Sequence, residues 1–221
     1  MNIASYIDHT ILKPTTTVAD VKKLCEEAME YDFAAVCVPP YYVAEAKKLL
    51  NGTAVRVATV VGFPFGYSGS KSKLQEIADA IAAGAGEIDM VHNIAAVKSG
   101  DWAQLEEEVK LCTDAAHTAG RLVKVIVESG LLSDEELIKC CELYAALGID
   151  FMKTSTGYAE VGATTHAVKL MRAKLPANIQ IKASGGIRDY AFAKELIDAG
   201  ATRLGCSASV AIVKEQGAEN G

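Results

Sequence analysis

The chain has no run of basic residues, no apolar stretch longer than a strand and no CxxC pair. Each absence removes a class of function. With 22 Lys and Arg against 28 Asp and Glu, the formal net charge is -6. There is no basic arm or stripe of the kind that holds a phosphate backbone, which argues against nucleic-acid binding. No segment is long and apolar enough for a transmembrane helix, so no membrane association is expected. The first residues, MNIASYIDHT, lack the charged start and apolar stretch of a signal peptide. The six cysteines sit mostly in apolar surroundings, where a free thiol behaves as a small hydrophobe. A reducing, cytoplasmic compartment follows from that usage. His9, His92, His117 and His166 show no ligand spacing, so no metal site is expected. Ser155 lacks the G-x-S-x-G context of a hydrolase nucleophile.

What is present is a repeat of strand and helix. Eight strand candidates run through the 221 residues: Tyr6–His9, Phe33–Val38, Val55–Val61, Glu87–Val91, Leu122–Glu128, Phe151–Lys153, Gln180–Ala183 and Thr202–Gly205. Several are β-branched and almost continuously apolar, as parallel strands covered on both faces must be. Between them lie stretches with helical spacing. Val18, Val21, Cys25 and Met29 mark one face, Leu74, Ile77, Ala78 and Ile81 another, and Trp102, Leu105, Val109, Cys112 and Ala116 a third. Ser133 and Glu136 have capping-box spacing, and Gly84, Gly120, Gly148 and Gly200 follow helical runs as helix ends do. No linker divides the chain. The pattern predicts an α/β fold, a single-domain (β/α)8 TIM barrel over residues 1–221. An open doubly wound sheet fits less well, because no G-x-G-x-x-G turn follows an early strand.

Side chains alternate across a strand, so apolar neighbours tell which way a polar residue faces. If Ile88, Met90, Met152 and Ile181 face the helices, then Asp89, Lys124, Lys153 and Lys182 enter the barrel. A buried ion pair with Asp89 or Glu128 would account for one such lysine. Three lysines exceed what pairing requires. The chemical reading is an amine whose pKa is lowered by burial and by a neighbouring cation, free to attack a carbonyl. A second lysine and Asp89 would then move protons. Periodicity does not choose between Lys153 and Lys182 as the nucleophile. Ser184-Gly185-Gly186-Ile187-Arg188 and Gly205-Cys206-Ser207 follow the seventh and eighth strands, where barrels commonly bind phosphate. Their backbone N–H groups can approach an anion closely. Cys37 ends a strand and is either near the site or in the core. Tyr41 and Tyr42 start a helix and cover the barrel.

At these residues the sequence resembles the deoxyribose-phosphate aldolase family of Schiff-base aldolases. The resemblance extends over nearly the full chain and includes Ile7-Asp8-His9-Thr10, Val60-Val61-Gly62-Phe63-Pro64, Glu87-Ile88-Asp89-Met90-Val91, Lys153-Thr154-Ser155-Thr156-Gly157 and Lys182-Ala183-Ser184-Gly185-Gly186. It implies a lyase that reversibly cleaves 2-deoxy-D-ribose 5-phosphate to D-glyceraldehyde 3-phosphate and acetaldehyde. It further implies Lys153 as the Schiff-base lysine, with Lys182 lowering its pKa and sharing a proton relay with Asp89. Gly157, Gly185, Gly186, Gly205 and Ser207 match positions that hold the phosphate. No metal or cofactor is implied; the partner is a phosphorylated sugar, and a homodimer or homotetramer is expected. Tyr158 stands where some members carry a lysine, which implies one positive charge fewer beside the phosphate. Some members also end in a tyrosine that reaches the site; Gln216–Gly221 has none, so water or another group is expected to act at the acetaldehyde carbon.

Two other readings compete. A noncatalytic barrel would use the lysines only to hold phosphorylated metabolites, although Asp89 opposes anion binding. An aldolase for a keto-acid phosphate would need an arginine for the carboxylate, with Arg56 and Arg188 as candidates.

Overall fold

The computed structural model describes residues 2–219. Eight strands, β1 (Ile7–Thr10), β2 (Ala35–Val38), β3 (Arg56–Val61), β4 (Glu87–Val91), β5 (Leu122–Ile126), β6 (Phe151–Lys153), β7 (Gln180–Ser184) and β8 (Arg203–Cys206), close into a barrel in chain order. Every pairing is parallel, and β1 meets β8 with Asp8 opposite Gly205. Around it lie α1 (Val18–Glu30), α2 (Val43–Leu49), α3 (Ser70–Ala83), α4 (Ile94–Ser99), α5 (Trp102–Thr118), α6 (Asp134–Leu147), α7 (Thr165–Lys174), α8 (Tyr190–Asp198) and α9 (Ser209–Glu219). The expected TIM barrel is the observed fold. Asn220 and Gly221, which end the stretch without a terminal tyrosine, lie outside the described residues.

The apolar face of the strands builds the core as the alternation requires. Ile88, Met90, Val125, Met152 and Ile181 join Leu105, Val109, Cys141, Val168 and Met171 of the helices in one buried cluster. Ser133 forms the expected capping box with Glu136, and Gly84 and Gly148 cap α3 and α6 in the left-handed conformation. All six cysteines are unpaired and buried.

Strand boundaries needed correction where backbone bonds or dihedrals intervene. Tyr6 belongs to a 3-10 turn over Ile3–Tyr6, so β1 starts one residue later and extends to Thr10. Phe33 and Val55 precede their strands, and β7 gains Ser184. β8 begins with Arg203 opposite Lys182 and ends at Cys206. Strand β5 stops at Ile126, short of Glu128, whose φ of 51° is left-handed and cannot continue a ladder.

Two helix faces also differ from the expected ones. In α1 the buried residues are Val21, Leu24, Cys25 and Ala28, while Val18 and Met29, at its first and last turns, are exposed. In α3 the buried positions are Lys73, Ile77 and Ala80, and Ala78 points outward. A lysine in an inward stripe is invisible to hydropathy. Its ammonium is fully buried because Glu108 of α5 lies 2.7 Å away and the Val91 carbonyl accepts at 2.8 Å. Removing one partner of such a pair strands a buried charge. Glu108→Leu should therefore lower unfolding free energy by about 3–5 kcal/mol. In denaturant titrations the Lys73→Met/Glu108→Leu double variant should recover most of that loss; a double variant no more stable than the single would contradict this account.

Candidate active site

Strand alternation delivers a set of charges to the barrel interior. Asp89 of β4 lies at its centre and accepts from three ammonium groups: Lys124 at 2.7 Å on Oδ1, and Lys153 at 2.8 Å and Lys182 at 2.7 Å on Oδ2. Neighbouring register makes this possible, since Asp89 is opposite Lys124 and Lys153 is opposite Lys182. Lys182 also donates to Asp8 of β1, and Lys124 sits 2.5 Å from Glu87. Arg203 of β8 reaches Asp8 at 2.6 Å and Glu87 at 3.4 Å. Every one of these side chains except that of Arg203 is 0–3 % exposed.

Counting partners separates the lysines where periodicity did not. Asp8, Glu87 and Asp89 face Lys124, Lys153, Lys182 and Arg203, with the half-exposed Arg56 also on Glu87, so a fully ionised cluster has more positive than negative charge. Lys182 touches two carboxylates and Lys124 three, and Lys153 touches only the shared Asp89. Burial pushes the Lys153 amine below the usual lysine range, and the nearby Lys182 charge adds to that against the pull of Asp89. Burial acts on Lys182 and Lys124 in the same sense, but their carboxylates overcome it and hold both above that range. Burial alone would raise Asp8 and Asp89, yet the surrounding cations keep both well below the ordinary carboxylate pKa. Lys153 is thus the amine that releases its proton at least cost.

Lys153 is also the one of the three lysines that lines the large cleft at the C-terminal mouth of the barrel. This cleft, of about 670 Å³, brings together all the anticipated loop residues: Gly157, Gly185, Gly186, Gly205 and Ser207, with Arg188 beside them. Lys182 and Asp89 lie beneath it. The loops after β6 and β7 are held together by Thr154, whose hydroxyl accepts from Ser184 N–H at 3.1 Å, and by Ser184, which donates to the Ser155 carbonyl at 2.6 Å. A Cβ on Gly162 would fall 2.3 Å from the Gly185 carbonyl oxygen, so this close approach requires glycine.

Several candidates are placed elsewhere. Arg56 begins β3 at the opposite end of the barrel, 3.1 Å from Glu87, and so is not available to a ligand in the cleft. Cys37 is both near the site and packed: it adjoins Ala58 and Val60, feels the charges of Asp89, Lys182 and Lys153, and is pushed up to about 11 chiefly by burial. Tyr41 is exposed, whereas Tyr42 donates to the Thr16 carbonyl at 2.7 Å. His117 and His166 are surface groups paired with Asp150 and Asp134. Tyr158 lines the cleft, donates to the Leu12 carbonyl at 2.8 Å and meets the Phe63 ring edge-on. Sequence reasoning missed Asp8 and Arg203. The opposition of Asp8 to Ile7 was a usable signal for Asp8; Arg203 shows only once β8 closes against β1.

Comparison with known proteins identifies the family. The family model described as DeoC/LacD family aldolase matches residues 2–218. A deoxyribose-phosphate aldolase of Caldanaerobacter subterraneus subsp. tengcongensis is 50 % identical over 216 residues, covering 97 % of this chain and 94 % of its own. One from Macrococcus caseolyticus is 50 % identical over 219 residues, covering 99 % of each chain. The tetrameric deoxyribose phosphate aldolase structure of Aeropyrum pernix superposes with a TM-score of 0.91 at 32 % identity, covering 98 % of this chain and 92 % of that one.

The depressed carboxylates give a pH dependence of stability. A carboxyl whose folded pKa lies below its unfolded value stabilises the fold above the unfolded pKa, near 4, and loses that contribution as pH falls through the folded one. Unfolding free energy should thus drop steeply below about pH 4. In Asp89→Asn the acid slope should flatten while stability near neutral pH falls by about 3 kcal/mol or more, as three ammonium groups lose a partner. Urea titrations across pH test both; an unchanged acid slope would show that the cluster does not govern acid unfolding.

Proposed function

The chain belongs to the DeoC/LacD family of aldolases, and we propose that it reversibly cleaves 2-deoxy-D-ribose 5-phosphate to D-glyceraldehyde 3-phosphate and acetaldehyde through an imine on Lys153. One observation carries the assignment of the nucleophile: of the three lysines inside the barrel, Lys153 alone lines the cleft, and it has the fewest carboxylate partners. Its neutral form attacks the substrate aldehyde, and loss of water from the carbinolamine gives the imine. The protonated imine draws in the electron pair of the breaking C2–C3 bond, so glyceraldehyde 3-phosphate leaves and an enamine remains. Proton transfer to the enamine carbon and hydrolysis release acetaldehyde and restore the amine. Asp89, which accepts from both Lys153 and Lys182, moves with Lys182 the protons of carbinolamine formation and breakdown.

Gly157, Gly185, Gly186, Gly205 and Ser207 hold the phosphate at the far side of the cleft, and Arg188 adds charge there. Backbone N–H donors at glycine loops suit a phosphate, because no Cβ keeps the oxygens away. On the likeness to the tetrameric Aeropyrum pernix protein, this chain acts as a homo-oligomer, a dimer or a tetramer. Six unpaired cysteines suit a cytoplasmic setting. No helix among the described residues is long and apolar enough to cross a membrane.

Borohydride reduction in the presence of acetaldehyde or 2-deoxyribose 5-phosphate should fix the adduct on Lys153, identified by peptide mass mapping. Lys153→Ala should lower kcat about 10⁴-fold or more. Lys182→Leu removes a neighbouring cation and leaves Asp89 freer to favour the Lys153 ammonium, so the alkaline-directed limb of the pH–rate profile should move to higher pH. A reduced adduct on Lys182 would reverse the two roles, and bound substrate with no adduct would defeat the imine mechanism.

A further inference from the structure

One buried acid has no part in the chemistry above. Glu128 is 2 % exposed, and its carboxylate is bonded to Thr156 alone: it accepts from the Thr156 N–H at 3.3 Å and from the Thr156 hydroxyl. No cation lies within ion-pair distance of it among the described residues, and Lys153 acts on it only from further away. Buried carboxylates are normally paired, so an unpaired one needs an explanation. The residue is also one of two non-glycine positions with positive φ among the described residues, at φ 51° and ψ 58°. That backbone strain aims the side chain across at the loop after β6 rather than along β5. Thr156 in turn lines the cleft together with Lys153. Its hydroxyl donates to Glu128 and accepts from Tyr158 N–H at 3.0 Å, which fixes its direction and leaves an oxygen lone pair for a ligand.

We infer that Thr156 and Glu128 form the proton-carrying pair for carbon–carbon cleavage, with Thr156 touching the substrate and Glu128 holding the proton behind it. As the C2–C3 bond breaks, the C3 hydroxyl proton passes to the Thr156 oxygen while the Thr156 proton passes to Glu128. The bonding electrons enter the iminium, and the C3 oxygen becomes the carbonyl of glyceraldehyde 3-phosphate. The reverse shift returns the proton through Thr156 to the enamine carbon, making the methyl group of acetaldehyde. The proton lost from oxygen is the proton gained by carbon, so no outside acid or base is consumed. Burial raises the proton affinity of Glu128, which suits a group that must keep a proton between two steps.

This inference rests on the imine at Lys153, and the test separates the two. Acetaldehyde alone in D₂O should exchange its methyl protons on the wild-type enzyme as imine and enamine interconvert, read by NMR. Glu128→Gln keeps an acceptor for the Thr156 hydroxyl but cannot take a proton, and should slow the exchange about a hundredfold or more. Borohydride trapping of acetaldehyde on Lys153 should persist in that variant. Thr156→Val should lose the exchange in the same way, and Thr156→Ser should restore most of it, a comparison that decides the matter even if Glu128→Gln fails to fold. Exchange at the wild-type rate in Glu128→Gln or in Thr156→Val would overturn the pair, as would equal loss of exchange and trapping. Absence of any adduct in the wild type would instead defeat the imine reading.

Discussion

One carboxylate shared by three ammonium groups governs this molecule. Asp89 keeps Lys124, Lys153 and Lys182 inside a barrel from which each alone would be expelled. The sharing is unequal. Asp8 and Glu87 complete the coordination of Lys182 and Lys124, and Lys153 is left with a fraction of one acid. Its reactivity is therefore a property of the whole interior charge balance rather than of any single neighbour. A core built this way trades stability for chemistry, since apolar residues of similar volume would pack at no desolvation cost.

Much of this was legible from residue order. Period-two alternation placed Asp89, Lys124, Lys153 and Lys182 inside the barrel, because each is flanked by residues such as Ile88, Met152 and Ile181 that belong among the helices. The glycine loops after the seventh and eighth strands were placed by the fold itself, whose functional residues gather at the C-terminal ends of strands. What stayed hidden depends on contacts between distant residues. Nothing near Lys73 in sequence announces that Glu108 will meet it, and hydropathy assigns a lysine to the outside of a helix. Arg203 looks like a strand-end surface residue until β8 packs beside β1. By alternation Glu128 ends a strand facing the lysines; a single left-handed dihedral turns it toward Thr156 instead.

The site divides its labour between two kinds of structure. The charged residues stand on strands, where ladder bonds fix each Cα and the side chains have little room to wander. The cleft walls come from loops that are joined to each other by Thr154, Ser184 and the Gly162–Gly185 contact. Substitutions in the walls can therefore change what is admitted without disturbing the amines below, as is usual where variable loops stand on a rigid scaffold.

The ion pairs that join the first strand to the last have a consequence for how the chain reaches this state. Asp8 meets Lys182 and Arg203 across sequence separations of 174 and 195 residues. Until β7 and β8 have been synthesised, Asp8 lacks both of its hydrogen-bonded cations and has only Lys124, 3.8 Å away, so a partial barrel that buried it would carry an under-compensated carboxylate. Ribosome-bound fragments therefore gain little by closing early. Contacts of such long range also make folding slow, because the loop-closure entropy must be met before they form. The barrel thus completes itself late, when its two ends bring opposite charges together.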